Sequence, residues 1–122
     1  ACRAQSFSTR RRVAAMARVL GVGGVFLKSR DPAALGDWYA STLGFEIDAT
    51  YGGTSFLPAN QPQGAYTVWS PFPDDTEYFG PNGQRFMLNL IVDDVPAALA
   101  QIAATGGEVV GEVEELEFGV FG

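Results

Sequence analysis

Histidine is missing altogether from this 122-residue chain, and cysteine occurs once, as Cys2. Without imidazole, neither a two-His-one-carboxylate iron site nor a His/Glu zinc or nickel site can be built from these residues. There is also no imidazole base to activate a serine or cysteine nucleophile. A lone cysteine excludes an internal disulfide and fits a reducing compartment such as the cytoplasm. The longest wholly apolar run, residues 19–27, is nine residues long, well short of the roughly 20 that span a bilayer as a helix. Positive charge is scarce beyond the N-terminus. Five of the eight basic residues (Arg3, Arg10, Arg11, Arg12, Arg18) lie in the first 18 positions, and from residue 19 onward three basic residues face fourteen acidic ones, a net of −11. Such a surface repels phosphate backbones, so a nucleic-acid partner is not expected for this part of the chain.

What is present is the composition of one globular domain: 47% hydrophobic and 18% charged residues, on a chain long enough to bury a core. The Arg-rich, acid-free start, residues 1–18, is expected to stand outside the fold. Its composition fits an organellar transit peptide, and the Arg10–Arg12 cluster fits a nucleic-acid arm. The preferred reading is upstream read-through with Met16 as the start, because the chain opens on Ala1 and the domain pattern begins soon after Met16.

Two stretches read as one unit written twice. Residues 24–39 and 87–102 each pass from an apolar, β-rich run through an acidic residue into a helical pattern. Aligning the Pro-Ala-Ala-Leu tetrads at Pro32 and Pro96 gives an offset of 64, and aligning Asp31 with Asp94 gives 63. At 64, Asn89 falls on the face that must bury against the helix. An unpaired buried amide costs on the order of 1–3 kcal/mol, so the 63 register is preferred. Asp31 and Asp94 then both cap helix N-termini.

The expected order is a strand over 19–29 and a helix opened by Asp31-Pro32, with Leu35, Trp38, Tyr39, Thr42 and Leu43 as its packing stripe and Gly44 as a left-handed cap. A strand over 45–51, a Gly52-Gly53 turn into 54–57, a loop over 58–64 and a strand over 65–70 complete the first module, residues 19–70. A Pro- and Gly-rich linker, 71–84, leads to a second module, 85–122. That module is expected to hold a strand over 85–92, a helix over 95–105 closed by Gly106-Gly107, a strand from 108 to 113 and a tail, 114–122, that turns into a further strand.

This order resembles the vicinal oxygen chelate superfamily, which includes glyoxalase I, extradiol dioxygenases and bleomycin-binding proteins. The likeness is carried by Asp31-Pro-Ala-Ala-Leu-Gly-Asp-Trp-Tyr39 with Leu43-Gly44-Phe45, by Val92-Asp-Asp-Val95 with Gly106-Gly107, and by Tyr66-Thr-Val-Trp-Ser-Pro-Phe72, Tyr78-Phe79 and Glu117-Phe-Gly119. It covers residues 19–122. The resemblance implies an α+β fold of two βαβββ modules forming a curved mixed sheet around a cavity, closed within one chain or across a dimer. The family's Asp-Pro-Gly turn and Glu-bearing last strand are absent, so the second module is expected to be incomplete, a C-terminally truncated fragment.

Metal-binding members of that superfamily place ligands near the start of each module's first strand. Those positions here are Gly24 and Met87, neither of them a hard-metal ligand, so no metal or other cofactor is expected. Glu46 and Asp48 suit the outer face of an exposed strand, and Asp74-Asp75 a solvated turn. The inward face of the resembling sheet would carry Phe26, Lys28, Trp69, Met87 and Asn89 as ligand-binding residues, with Lys28 and Asn89 orienting a polar group. The competing readings are a Lys28 that snorkels to solvent, an Asn89 satisfied by backbone, and apolar residues that are plain core. The expected activity is small-molecule binding of the glyoxalase/bleomycin-resistance type, with a small hydrophobic or aromatic ligand, a homodimeric assembly and no membrane or nucleic-acid partner. The alternative is a metal-dependent lyase or dioxygenase whose ligands lie in missing C-terminal strands or on a partner chain.

Overall fold

Asp31 and Asp94 do start helices, and they fix the register of the repeat. In the computed structural model of the chain, which describes residues 3–5, 19–81, 83–117 and 119–122, helix α1 spans Pro32–Leu43 and helix α2 spans Val95–Ala104. The amide of Ala34 donates to Asp31 Oδ1 at 3.0 Å, and that of Ala97 donates to Asp94 Oδ1 at 2.9 Å. Caps and first helical residues are thus both 63 apart. The Pro-Ala-Ala-Leu tetrads consequently sit one residue out of step, with Pro32 first in α1 and Pro96 second in α2. A proline is tolerated at either position because the first-turn N–H groups have no helical acceptor.

The C-termini are closed differently. Gly44 takes φ 72° and ψ 25°, and its amide donates to Ala40 O at 3.2 Å. A side chain there would strain the left-handed backbone. In α2 the Thr105 hydroxyl donates to the carbonyls of Gln101 and Ile102, and the Gly107 amide returns to Ile102 O at 2.9 Å.

The chain divides into two compact units: the described residues up to Lys28 with Phe56–Pro71, and Ser29–Ser55 with Phe72–Gly122. Both helices belong to the second unit and pack on each other. Gln101 Nε2 donates to Thr42 O at 2.8 Å across that contact. Thr42, 3% exposed, is the one buried residue among the described residues, and its hydroxyl has no hydrogen-bond partner there. Of the expected α1 stripe, Trp38, Tyr39 and Leu43 are half-buried and Leu35 is exposed. Trp38 meets Tyr39 edge-on at 5.0 Å, and Tyr39 meets Phe45 at 4.8 Å.

The expected Gly52-Gly53 turn forms earlier in the chain. Asp48 Oδ1 accepts from the Thr50 amide at 2.9 Å and from the Thr50 hydroxyl. The backbone therefore reverses over 49–52 and closes in a single bridge, Asp48 to Gly53. An Asp that captures the amide two residues on is a turn former in its own right, which outweighed the glycine pair. Gly53 lies under the Tyr51 ring, where a Cβ would fall 2.6 Å from a ring carbon. The Tyr51 hydroxyl pairs with Ser55 Oγ at 3.0 Å.

The tail forms a hairpin of β1, Glu114–Leu116, and β2, Gly119–Phe121, antiparallel with Glu115 opposite Val120. The class is therefore mixed α+β, with two helices and a two-stranded antiparallel sheet among the described residues. The strands expected over 19–29, 54–57, 65–70, 85–92 and 108–113 have no ladder there, and of 45–51 only the Asp48 bridge forms. A strand needs a neighbour's N–H and C=O groups in register, which apolar β-rich sequence alone does not supply. The first unit carries a 3₁₀ turn at Pro58–Asn60 and the apolar run 19–27, with Val19 89% and Phe26 88% exposed. No apolar side chain is fully buried among the described residues. The basic cluster of the proposed N-terminal tail, residues 10–12, and Cys2 lie outside the described residues.

Candidate functional site

The five residues expected to line a ligand face fall in both units. Phe26, Lys28 and Trp69 belong to the first, Met87 and Asn89 to the second. All five are exposed. The Phe26 ring folds back over Gly24, where a Cβ would sit 3.4 Å from its Cζ. Trp69 is 78% exposed and Met87 47%, so each offers apolar surface for a partner to cover.

The positions at which a metal would be expected do not suit one. Gly24 has no side chain and Met87 offers only a soft thioether, while iron, zinc, nickel and manganese sites are built from imidazole, thiolate and carboxylate. Among the described residues, no three Cys, Asp or Glu side chains come together as a metal-binding group. Asp48 has a different role. Its carboxyl is held below the ordinary aspartate pKa by the Thr50 hydroxyl first and the Thr50 amide second, both donating to the charged form. It is a turn former whose acceptor atom is already engaged.

Two features were not legible as site features in the sequence. An open cleft of about 260 Å³ lies between the start of α1 and the 48–53 turn, bounded by Pro32, Gly36, Asp37, Ile47 and Tyr51. Gly36 faces Ile47 and the Gly52 carbonyl there, and a Cβ on it would meet both at an ordinary contact distance of 3.8 Å. The second lies in the stretch read as a linker, where Asp74 does more than cap a turn. Its Oδ1 pairs with Arg85 Nη2 at 2.6 Å, eleven residues away and wholly at the surface. Beside it, Phe72 contacts both Tyr78 and Phe79. A six-residue separation fits neither helix nor strand periodicity, so only the turn from Pro73 to Thr76 hinted at this closure.

No helix among the described residues is long and apolar enough to cross a membrane. Neither the curated proteins nor the solved structures gave a match to this chain. The family model of the glyoxalase-like domain does match, over residues 24–121, which takes in both helices, both N-caps and the terminal hairpin. With that match the chain belongs to the glyoxalase-like domain family, within the vicinal oxygen chelate superfamily.

Proposed function

We propose that this chain is a small-molecule binding protein of the glyoxalase/bleomycin-resistance type that works without a family-type metal site. Its ligand-binding residues are Phe26, Lys28 and Trp69 in one unit and Met87 and Asn89 in the other, the positions that the βαβββ pattern of the family assigns to the inward sheet face. The observation that carries the reading is the family match together with Gly24 and Met87 at the expected ligand positions in a chain without histidine. A cavity lacking a Lewis acid selects by shape and polar contact, and exposed Phe26, Trp69 and Met87 suit a hydrophobic or aromatic ligand. The low cysteine content fits a cytoplasmic setting.

The binding partner in assembly is a second copy of the chain. Support comes from the exposed apolar segments: Val19, Leu20, Val25 and Phe26 are all at least 60% exposed, and Met87, Leu88, Leu90 and Ile91 are also exposed. Unpaired apolar segments of this kind recruit another chain. Light scattering at tens of micromolar should report a dimer or larger species, and a stable monomer would sink the assembly part of the reading.

Binding itself is tested by titrating hydrophobic and aromatic compounds against tryptophan emission. A true ligand should shift the emission to the blue in the wild type and much less in Trp69→Phe. Elemental analysis of the same preparation should find no stoichiometric iron, zinc, nickel or manganese. About one metal per chain, removable by EDTA with loss of an activity, would instead assign the protein to the lyase or dioxygenase branch.

A further inference from the structure

The stretch from Phe72 to Arg85 presents three aromatic rings in a fixed order. Phe72 stacks on Tyr78 with centroids 5.3 Å apart and planes 14° from parallel, and it meets Phe79 at 5.2 Å and 58°. Exposure rises outward along the cluster, from a half-buried Phe79 to Phe72 at 41% and Tyr78 at 66%. Tyr78 therefore has one face against Phe72 and presents the other to solvent. Offset stacking on that open face is the arrangement a further aromatic ring prefers.

The loop that carries these rings is tied at several points. Arg85 pairs with Asp74 at 2.6 Å, the Thr76 amide donates to Pro73 O at 3.1 Å, the Tyr78 amide to Thr76 Oγ1 at 3.2 Å, and the Gly80 amide to Glu77 O at 3.1 Å. A ligand docking here has less loop to order, and that ordering cost is what weakens binding to mobile segments. The ion pair also sets the charge. Three acids and one base lie between Phe72 and Arg85, a net of −2. With Asp74 neutralised by Arg85, that charge resides on Asp75 and Glu77, both exposed and within three residues of Tyr78. At physiological salt the screening length is about 8 Å, long enough for near neighbours to act on a molecule stacked on the ring. A tyrosine face attracts cations as well.

We propose that Tyr78, backed by Phe72, is a stacking platform for a flat aromatic cation, with Asp75 and Glu77 supplying the charge preference. The platform shares no residue with the face assigned above and does not depend on it. The probe is proflavine, a flat dye that is cationic at neutral pH, titrated by fluorescence anisotropy against the full chain at low salt. Tyr78→Ala should weaken binding about tenfold. Tyr78→Phe should bind like the wild type, since the phenol hydroxyl takes no part. The double variant Asp75→Asn with Glu77→Gln should lose roughly threefold at low salt, with the gap closing near about 1 M salt. Unchanged binding in Tyr78→Ala, or no binding up to millimolar protein, overturns the proposal. Binding lost in Trp69→Ala but kept in Tyr78→Ala also overturns it, and moves the dye to the other face while leaving the small-molecule reading intact.

Discussion

Helix α1 and the apolar segment 19–27 obtain their hydrogen bonds from different places. The caps that start and stop α1 lie within a few residues of its ends: the Ala34 amide donates to Asp31, the Asp31 amide to Ser29 Oγ and the Gly44 amide to Ala40 O, while of the last-turn carbonyls Thr42 O also accepts from Gln101. Among the described residues the segment 19–27 pairs with no neighbouring strand and stands exposed, with Leu20 at 87% and Phe26 at 88%, so its backbone is left to water. The wholly apolar run stays irregular while α1, which carries Asp37, Ser41 and Thr42, forms the regular element, so hydrophobicity is not what decides it. Locality is. A helix cap is complete once its own turn exists, whereas a sheet face is complete only when a second element covers it.

That contrast is tested most sharply by the two tryptophans. Trp38 is half-buried on α1 beside Tyr39, and Trp69 lies 78% exposed in the other unit. Trp38→Ala should cost about 2 kcal/mol, below the range for a fully buried aromatic because only part of the ring leaves water. Trp69→Ala should change stability by less than about 0.5 kcal/mol in the monomer, as surface substitutions generally do. Paired denaturant melts decide it. Equal losses would mean that the segment holding Trp69 is as well packed as the helix.

The helices were legible for the same reason that they form. An acid followed by Pro or Val-Pro, a small-residue run and a closing glycine specify starts and stops within one turn, so Asp31, Asp94 and the cost that burying Asn89 would carry are enough to choose the 63-residue register. The turn expected at Gly52-Gly53 lies a few residues earlier, over 49–52, because the Asp48 carboxylate rather than the glycine pair organises the reversal. The Phe72–Tyr78 stack was missed because its spacing has no regular period; the turn from Pro73 to Thr76 and the Tyr78 amide on Thr76 Oγ1 bring the chain back. The hairpin at 114–121 was legible in outline, as a tail that turns into a strand. The five proposed ligand residues are divided between the two units, and no local rule encodes contacts between such distant segments.

The caps offer a smaller effect on the helical side of the comparison. Asp31→Ala and Asp94→Ala should each cost about 1 kcal/mol, since each leaves a first-turn amide without its side-chain acceptor. The loss in α2 should be the more visible by far-UV circular dichroism. It is the shorter helix, ten residues against twelve, and has no fully buried residue of its own. If Asp94→Ala leaves its helicity untouched, α2 is held by α1 through Gln101 and Thr42 rather than by its own ends.

The smallest effect belongs to Asp48, and its sign is fixed by the direction of its pKa. The Thr50 hydroxyl and amide both donate to the ionised carboxylate and hold its pKa below the ordinary value. A group whose folded-state pKa is depressed contributes stability that is fully present above its unfolded pKa and is lost as pH falls through the folded one. The unfolded value for aspartate is about 3.9, so the turn should keep this contribution above about pH 4 and lose it below. The carboxylate is fully exposed and screened by water, which keeps the effect small. In Asp48→Asn the amide oxygen still accepts from Thr50 but cannot titrate, so that variant should lack this part of the acid limb. Carboxyl NMR titration should locate the Asp48 midpoint below the ordinary aspartate value. A midpoint at the ordinary value, or identical acid limbs in the two proteins, would show that the Thr50 contacts do not persist in solution. The 48–53 reversal would then rest on Gly52 and Gly53 after all.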